Sequence, residues 1–317
     1  MTAIRISTVG VPSDYKTSLV PAICQSLGYQ IQWVEPKNCQ LMIIGSFYKF
    51  GKKKLSWCPK PLRPLMGALG DEIRSIIHSP HHPLILFQTG ENLRHDFISS
   101  DYSLSFDLGV SSEHHFRMPY WMEVTNWSED GVTGNANPRY GPLLDINRLL
   151  KPLGTDFLNR PQKAVIFASH LREPRSTLLN AVKKEIAVVE YGKSFNPLIK
   201  NHLESGLVKF DELQEFAFNL CPENGMYPGY YTEKIPEAFM AGCLPITWTD
   251  ENVRVDFNPC AFINLAPMTT NNFSELGEIL HSKTNLEKYI EQPLLLKRPD
   301  IGPLKHFIQE AIRKALS

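Results

Sequence analysis

Strand-like and helix-like segments alternate through both halves of a 317-residue chain, with one Pro/Gly-punctuated stretch near the middle. The pattern predicts an α/β fold of two Rossmann-like, doubly wound domains facing a central cleft. The length, with 43% hydrophobic residues, is enough to fill two ordinary cores. In the first half, apolar runs of strand length are expected to form strands at Ile4–Val9, Ile31–Val34, Leu41–Gly45, Leu84–Phe87 and Tyr102–Phe106. Helices are expected at Tyr15–Leu27 and Leu65–His78. The second half repeats the alternation, with strands expected at Val165–Ala168, Val188–Tyr191, Phe216–Leu220, Leu244–Trp248 and Ala261–Asn264. Between the halves, Lys151–Lys163 reads KPLGTDFLNRPQK, and its prolines and glycine set the expected domains at 1–155 and 156–317. The terminal PLKHFIQEAIRKALS aligns Leu304, Phe307, Ile308, Ile312 and Leu316 on one helical face, a stripe suited to packing on a domain. Weak attachment to a membrane surface is the alternative for that stripe.

The densest chemistry lies in Asn219–Asn264. After the run ending at Leu220 come Glu223 and Asn224, the turn Pro228-Gly229, and the polar set Tyr230, Thr232, Glu233, Lys234. A short helix then covers Glu237–Ala241, with Gly242 placed to stop it. A strand, a crossover helix and a strand in this order favour a parallel unit, and such sheets bind ligands beyond the carboxyl ends of their strands. Pro236 is tolerated only near a helix start, so it sets the start near Thr232–Ile235 and brings Lys234 beside unpaired backbone amides that attract an anion. Nucleotide phosphates are the expected ligand.

These residues carry a resemblance. PENGMYPGYYTEKIPEAFMAG, followed by DFNP, resembles the donor-binding signature of the α1,3/α1,4-fucosyltransferase family, glycosyltransferase family 10, most closely its soluble-type bacterial members. TGEN at Thr89–Asn92, RMPYW at Arg117–Trp121 and ASHLREPRSTLLNAV at Ala168–Val182 fit the same family in its order. The resemblance implies the GT-B architecture, with an acceptor-side N-terminal domain and a GDP-sugar donor domain at the C-terminus. It implies an inverting single displacement that moves L-fucose from GDP-β-L-fucose to an oligosaccharide hydroxyl, with an N-acetylglucosamine-containing acceptor expected. The alternatives are a GT-B transferase using another GDP-sugar, or a glycan-binding protein of this fold without turnover. Cys221-Pro222 and Tyr231 depart from the family's usual aromatic and valine at those positions, and both belong to the expected donor wall.

Sugar transfer needs a base for the acceptor hydroxyl and cations for the charge that grows on the departing diphosphate. Glu91 follows the apolar run PLILF and a Thr-Gly turn; alone it reads as a solvated loop acid, and the Gly-Glu-Asn match makes it the expected base. No Asp-x-Asp metal motif occurs, so the chain's own cations are expected to hold the diphosphate without a required cofactor, a divalent metal at most stimulating. Those cations are Lys234 and Arg175, the latter at the start of a helix over Ser176–Lys184; its neighbour Arg172 reads as an exposed loop cation. The resemblance adds Asn224, Tyr230 and Glu233 to the donor site, Glu233 accepting from ribose hydroxyls. Glu223 is expected to orient the loop, and Tyr120 or Trp121 either to stack on the acceptor sugar or to pack in the core.

Composition excludes other classes. Lys plus Arg and Asp plus Glu number 33 each and the pI is about 7.1, which gives no dominant nucleic-acid surface. The chain shows no signal pattern and no bilayer-length apolar run, so a cytoplasmic, at most membrane-peripheral, protein is expected. The six cysteines have no CxxC spacing and read as free thiols; His78, His81 and His82 read as a solvated loop, and no metal site is expected. Oligomeric state is not legible in the sequence.

Overall fold

The computed structural model describes residues 2–48, 73, 75–79, 82–195 and 208–317, which fall into two compact units. The first comprises Met1–Met118, Trp127–Asn135 and Asp300–Ser317. Its strands β1 (Thr2–Val9), β2 (Tyr29–Trp33), β3 (Leu41–Gly45), β4 (Leu84–Gln88), β5 (Tyr102–Ser105) and β6 (His115–Arg117) form one sheet in the order β2-β1-β3-β4-β5-β6. All of its pairings are parallel. Every residue of β3 is buried, as in a strand covered on both faces. Helix α1 (Leu19–Ser26) follows a 3-10 turn at Tyr15–Thr17, so the helix expected over Tyr15–Leu27 is broken near its start. The helix expected at Leu65–His78 lies largely outside the described residues, which are helical at 73 and 75–77.

Chain order reverses around β1: β2 lies on one side of it and β3 on the other. The loops after β1 and β3 meet there through two glycines. A Cβ on Gly10, whose φ is +65°, would stand 2.2 Å from the Tyr48 backbone nitrogen, and one on Gly45 would stand 2.5 Å from the Gly10 carbonyl oxygen. The next parallel strand, β4, ends at Gln88 and delivers Thr89-Gly90-Glu91 at the same carboxyl edge of this sheet.

The second unit comprises Pro119–Asn126 and Ala136–Pro299. Strands β7 (Ala164–Phe167), β8 (Val188–Tyr191), β9 (Phe218–Leu220), β10 (Leu244–Thr247) and β11 (Ile263–Asn264) form a parallel sheet in the order β11-β10-β9-β7-β8. Its labelled helices are α2 (Arg175–Glu185), α3 (Lys209–Leu213) and α4 (Lys234–Met240). Gly242 ends α4 in the left-handed region at φ +78°, as expected of a C-terminal glycine.

The domain boundary differs from the expectation. Lys151–Lys163 is woven into the second unit: Leu153 N–H donates to the Gln292 carbonyl, Gly154 N–H to the Ile290 carbonyl, and Phe157 is fully buried. The chain changes units inside RMPYW, between Met118 and Pro119, and the C-terminal helix α5 (Gly302–Leu316) returns to the first unit. There Phe307 packs edge-on against Tyr102 at 5.5 Å and tilted against Phe116 at 5.6 Å. Pro/Gly punctuation marks turns, and a turn within a unit has the same chemistry as a turn between units. Among the described residues no helix is long and apolar enough to cross a membrane.

Candidate active site

In the second sheet the chain-order reversal falls between β7 and β9. A crevice at the carboxyl ends of two strands whose connections leave in opposite directions is where open α/β sheets bind ligands. The two loops leaving this point are those carrying the sequence-predicted donor residues. From the β7 side comes Arg175, the first residue of α2, buried at 5% exposure. From the β9 side come Glu223 and Asn224. The loops are joined: Arg175 Nη2 donates to Asn224 Oδ1 and, at 3.5 Å, to the Pro222 carbonyl, while Nη1 donates to the His170 carbonyl at 3.4 Å. Asn224 Nδ2 in turn lies 3.5 Å from the Tyr230 hydroxyl. Arg172, by contrast, is exposed.

Glu223 organises the other half. Its buried carboxylate accepts from Thr232 N–H at 2.7 Å, from Thr232 Oγ1 at 2.7 and 2.9 Å, and from Lys234 Nζ at 2.8 Å. The anion expected at this helix start is therefore met first by the protein's own carboxylate. Lys234 Nζ also lies 3.7 Å from Glu233 Oε1, so one ammonium stands between two carboxylates. Burial pushes the Lys234 ammonium down, but Glu223 and Glu233 outweigh it and hold it above its ordinary value. Burial pushes the Glu233 carboxyl up, and Lys234 and Lys209 override it, holding Glu233 below the usual carboxylate range. Lys234 is thus tied to two carboxylates, Glu223 and its neighbour Glu233.

The two expected acceptor aromatics part company. Trp121 is buried in the core against Phe257, ring centroids 5.6 Å apart, the core-packing alternative of its sequence reading. Tyr120 is partly exposed; burial raises its phenol well above the ordinary value, with Glu233 adding to the effect. Of the departures from the family pattern, Pro222 supplies a carbonyl to Arg175, and Tyr231 is buried with its hydroxyl donating to Asp250.

In the first unit, Glu91 is partly exposed, and among the described residues its carboxylate has no hydrogen-bond or ion-pair partner. Its loop is pinned at two points. Thr89 Oγ1 accepts from Glu91 N–H at 3.1 Å. Farther along, the buried Asp107 accepts from Arg94 Nη1 at 3.1 Å, His95 N–H at 2.6 Å and Ser105 Oγ at 2.7 Å. Asp107 escaped sequence reading because an acid after a strand looks the same whether it is solvated or buried. His114 and His115 point apart: His115 Nδ1 meets Ser103 Oγ at 2.9 Å, whereas His114 is exposed.

Among the described residues no group of three or more His, Cys, Asp or Glu is placed to hold a metal ion. The described cysteines are free, and burial pushes the Cys24 thiol up to about 12; Cys58 and His81 lie outside the described residues.

Two α/β units, each built on a parallel sheet and the second with its polar cluster at a switch point, make up a fold of the GT-B class. The family model for the C-terminal region of glycosyltransferase family 10 (fucosyltransferase) matches residues 158–291. An alpha-(1,3)-fucosyltransferase FucT of Helicobacter pylori is 27% identical over 227 residues, which are 66% of this chain and 47% of that protein. The chain thus spans about half the length of this curated relative. A crystal structure of an alpha1,3-fucosyltransferase with GDP-fucose superposes with a TM-score of 0.64 at 19% identity, covering 98% of this chain and 91% of that one. A second alpha1,3-fucosyltransferase crystal structure gives 0.67 at 20% identity, covering 99% and 90%. Residues 158–291 of the chain are thus similar to the C-terminal region of glycosyltransferase family 10, the fucosyltransferases.

Proposed function

We propose that the protein is an inverting α1,3-type fucosyltransferase, moving L-fucose from GDP-β-L-fucose to a hydroxyl of an N-acetylglucosamine-containing oligosaccharide. The observation that carries this reading is the joining of Arg175, Asn224 and Tyr230 at the β7/β9 switch point, beside the Glu223–Thr232–Lys234 turn. Arg175 offers a planar fork to the diphosphate, and its charge stabilises the leaving group as the glycosidic bond breaks. Ionised Glu233 accepts from donor hydroxyls. Glu91, with no other bond to its carboxylate among the described residues, takes the acceptor proton in a single displacement that converts the β-linked donor to an α-linked product. No step requires a metal; a divalent ion on the diphosphate would at most stimulate. A base, a fork-shaped cation and an ionised acceptor in one chain favour turnover over a mute glycan-binding role.

The test is GDP release with lactose and N-acetyllactosamine as acceptors, in chelator, from GDP-fucose, GDP-mannose and UDP-galactose. Acceptor-dependent release from GDP-fucose alone is expected; release only from another donor overturns the fucosyl assignment, and dependence on an added divalent ion overturns metal independence. Glu91→Gln is expected to lower turnover by about 10²-fold or more while GDP still binds. Unchanged turnover removes Glu91 as the base.

A further inference from the structure

Glu91 follows β4 and Asp107 follows β5, neighbouring parallel strands, so both leave the same edge of the first sheet. The Glu91 peptide is held on each side. Its N–H donates to Thr89 Oγ1 at 3.1 Å, and its carbonyl accepts from Leu93 N–H at 2.6 Å and from the Thr89 hydroxyl at 3.1 Å. The carboxylate has no partner among the described residues, so its position is set by the backbone that carries it. A general base must stand within hydrogen-bond reach of the proton it takes, which makes the hold on that backbone part of the chemistry.

Arg94 divides its guanidinium between two partners. Nη1 donates to Asp107 Oδ1 at 3.1 Å, and Nη2 donates to Asn92 Oδ1, while the guanidinium carbon lies 4.2 Å from the centre of the Phe106 ring. An arginine that only satisfied a buried carboxylate would bring two nitrogens to it side by side, the geometry that makes such pairs strong. Here one nitrogen meets an anchor in the core and the other meets the residue after Glu91. The anchor is itself fixed: Asp107 is buried, and its Oδ2 accepts from His95 N–H at 2.6 Å and from Ser105 Oγ at 2.7 Å.

We infer that Arg94 and Asp107 are positioning residues for the base: Asp107 fixes the Arg94 guanidinium, and the guanidinium fixes Asn92, so that Glu91 is clamped between Thr89 and Arg94 with its carboxylate presented to the acceptor hydroxyl. This inference rests on the assignment of Glu91 under the proposed function. Neither residue need touch the substrate; each acts through Glu91.

The test is a set of variants assayed for GDP release from GDP-fucose with N-acetyllactosamine as acceptor. Arg94→Lys keeps a charge opposite Asp107 but lacks the planar fork that also reaches Asn92. It is expected to lose about 10- to 100-fold in kcat, the scale set by a small misplacement of a reacting group. GDP-fucose affinity by calorimetry and the melting temperature should be little changed. In a Glu91→Gln background the same substitution is expected to cause no further loss, because the residue it positions can no longer act as a base.

A pair with a purely structural role gives a different pattern. Either a lowered melting temperature with kcat of the folded protein unchanged, or a loss in the Glu91→Gln background as large as in the wild type, overturns the inference. If Arg94→Lys does not fold, Asn92→Ala decides, since it removes the far end of the bridge at an exposed position and leaves Arg94 on Asp107. The same fall in kcat is expected there, and unchanged kcat refutes the clamp. Full turnover by Glu91→Gln removes the base itself, and a wild type that does not turn over GDP-fucose removes the donor reading. Both end this inference together with the function it rests on, and neither resembles the results that overturn it alone.

Discussion

At the residue scale, Arg175 and Lys234 carry the same formal charge in very different settings. Arg175 is directed by neutral oxygens, the His170 and Pro222 carbonyls and Asn224 Oδ1, which orient its guanidinium without neutralising it themselves. Lys234 stands in a turn with Glu223 and Glu233, where it contributes order before attraction. Arg175→Lys keeps the charge and loses the planar fork, so GDP affinity should fall about tenfold or more, measured by titration, with the melting temperature little changed. The distinctive string Gly-Tyr-Tyr-Thr-Glu-Lys had already singled out the residues that gather on the β9 side of the switch point. The role of Glu223 was less legible: a carboxylate that binds the helix start and one that merely borders it have the same sequence. For Trp121 the sequence left two outcomes open for a related reason, since an aromatic suits a sugar face and a core equally well, and its ring is buried in the core.

At the element scale, helix α5 is the clearest departure from the expected division. Its apolar stripe was visible in the spacing of Leu304, Phe307, Ile308 and Ile312, all of which are buried. A stripe specifies that a helix docks, not on which sheet. Phe307→Ala removes the ring that meets Tyr102 and Phe116 and is expected to cost about 3–5 kcal/mol in the unfolding of the first unit. GDP binding by the second unit should survive in protein that remains folded, which calorimetric titration can check; loss of GDP binding at unchanged secondary structure would count against the reassignment. The β9–α4–β10 unit, in contrast, lies where the strand–helix–strand reading put it, because Pro236 and Gly242 bound the helix by local sterics alone.

At the scale of the whole molecule, acid stability should record the half-buried imidazoles of His115 and His170. Burial lowers His115, with His95 adding to the effect against Asp107; burial also lowers His170, with Arg175, Arg172 and Lys234 adding to it. A histidine whose folded value is depressed binds fewer protons in the native state than in the unfolded chain. Its contribution is present above the unfolded value, near 6.5, and is lost as pH falls below it. Glu233, also depressed, loses its contribution at lower pH, while Glu237, raised, gains as pH falls. Because these carboxyls are common to both proteins, the comparison of wild type with His115→Asn isolates the imidazole. The variant should show a shallower loss of melting temperature between pH 7 and pH 5; an identical slope would mean that His115 has no part in acid unfolding.

The sequence by itself determined the α/β class, most strand positions and the string of polar residues that gathers at the β7/β9 switch point, because hydrophobic period, turn chemistry and helix boundaries are local properties. Tertiary structure alone decided which sheet received α5, where the chain changes units, and that Asp107 pins the Glu91 loop through Arg94. Those outcomes depend on which distant groups share a buried space, where desolvation forces each charge to find a partner, and no local pattern records that choice.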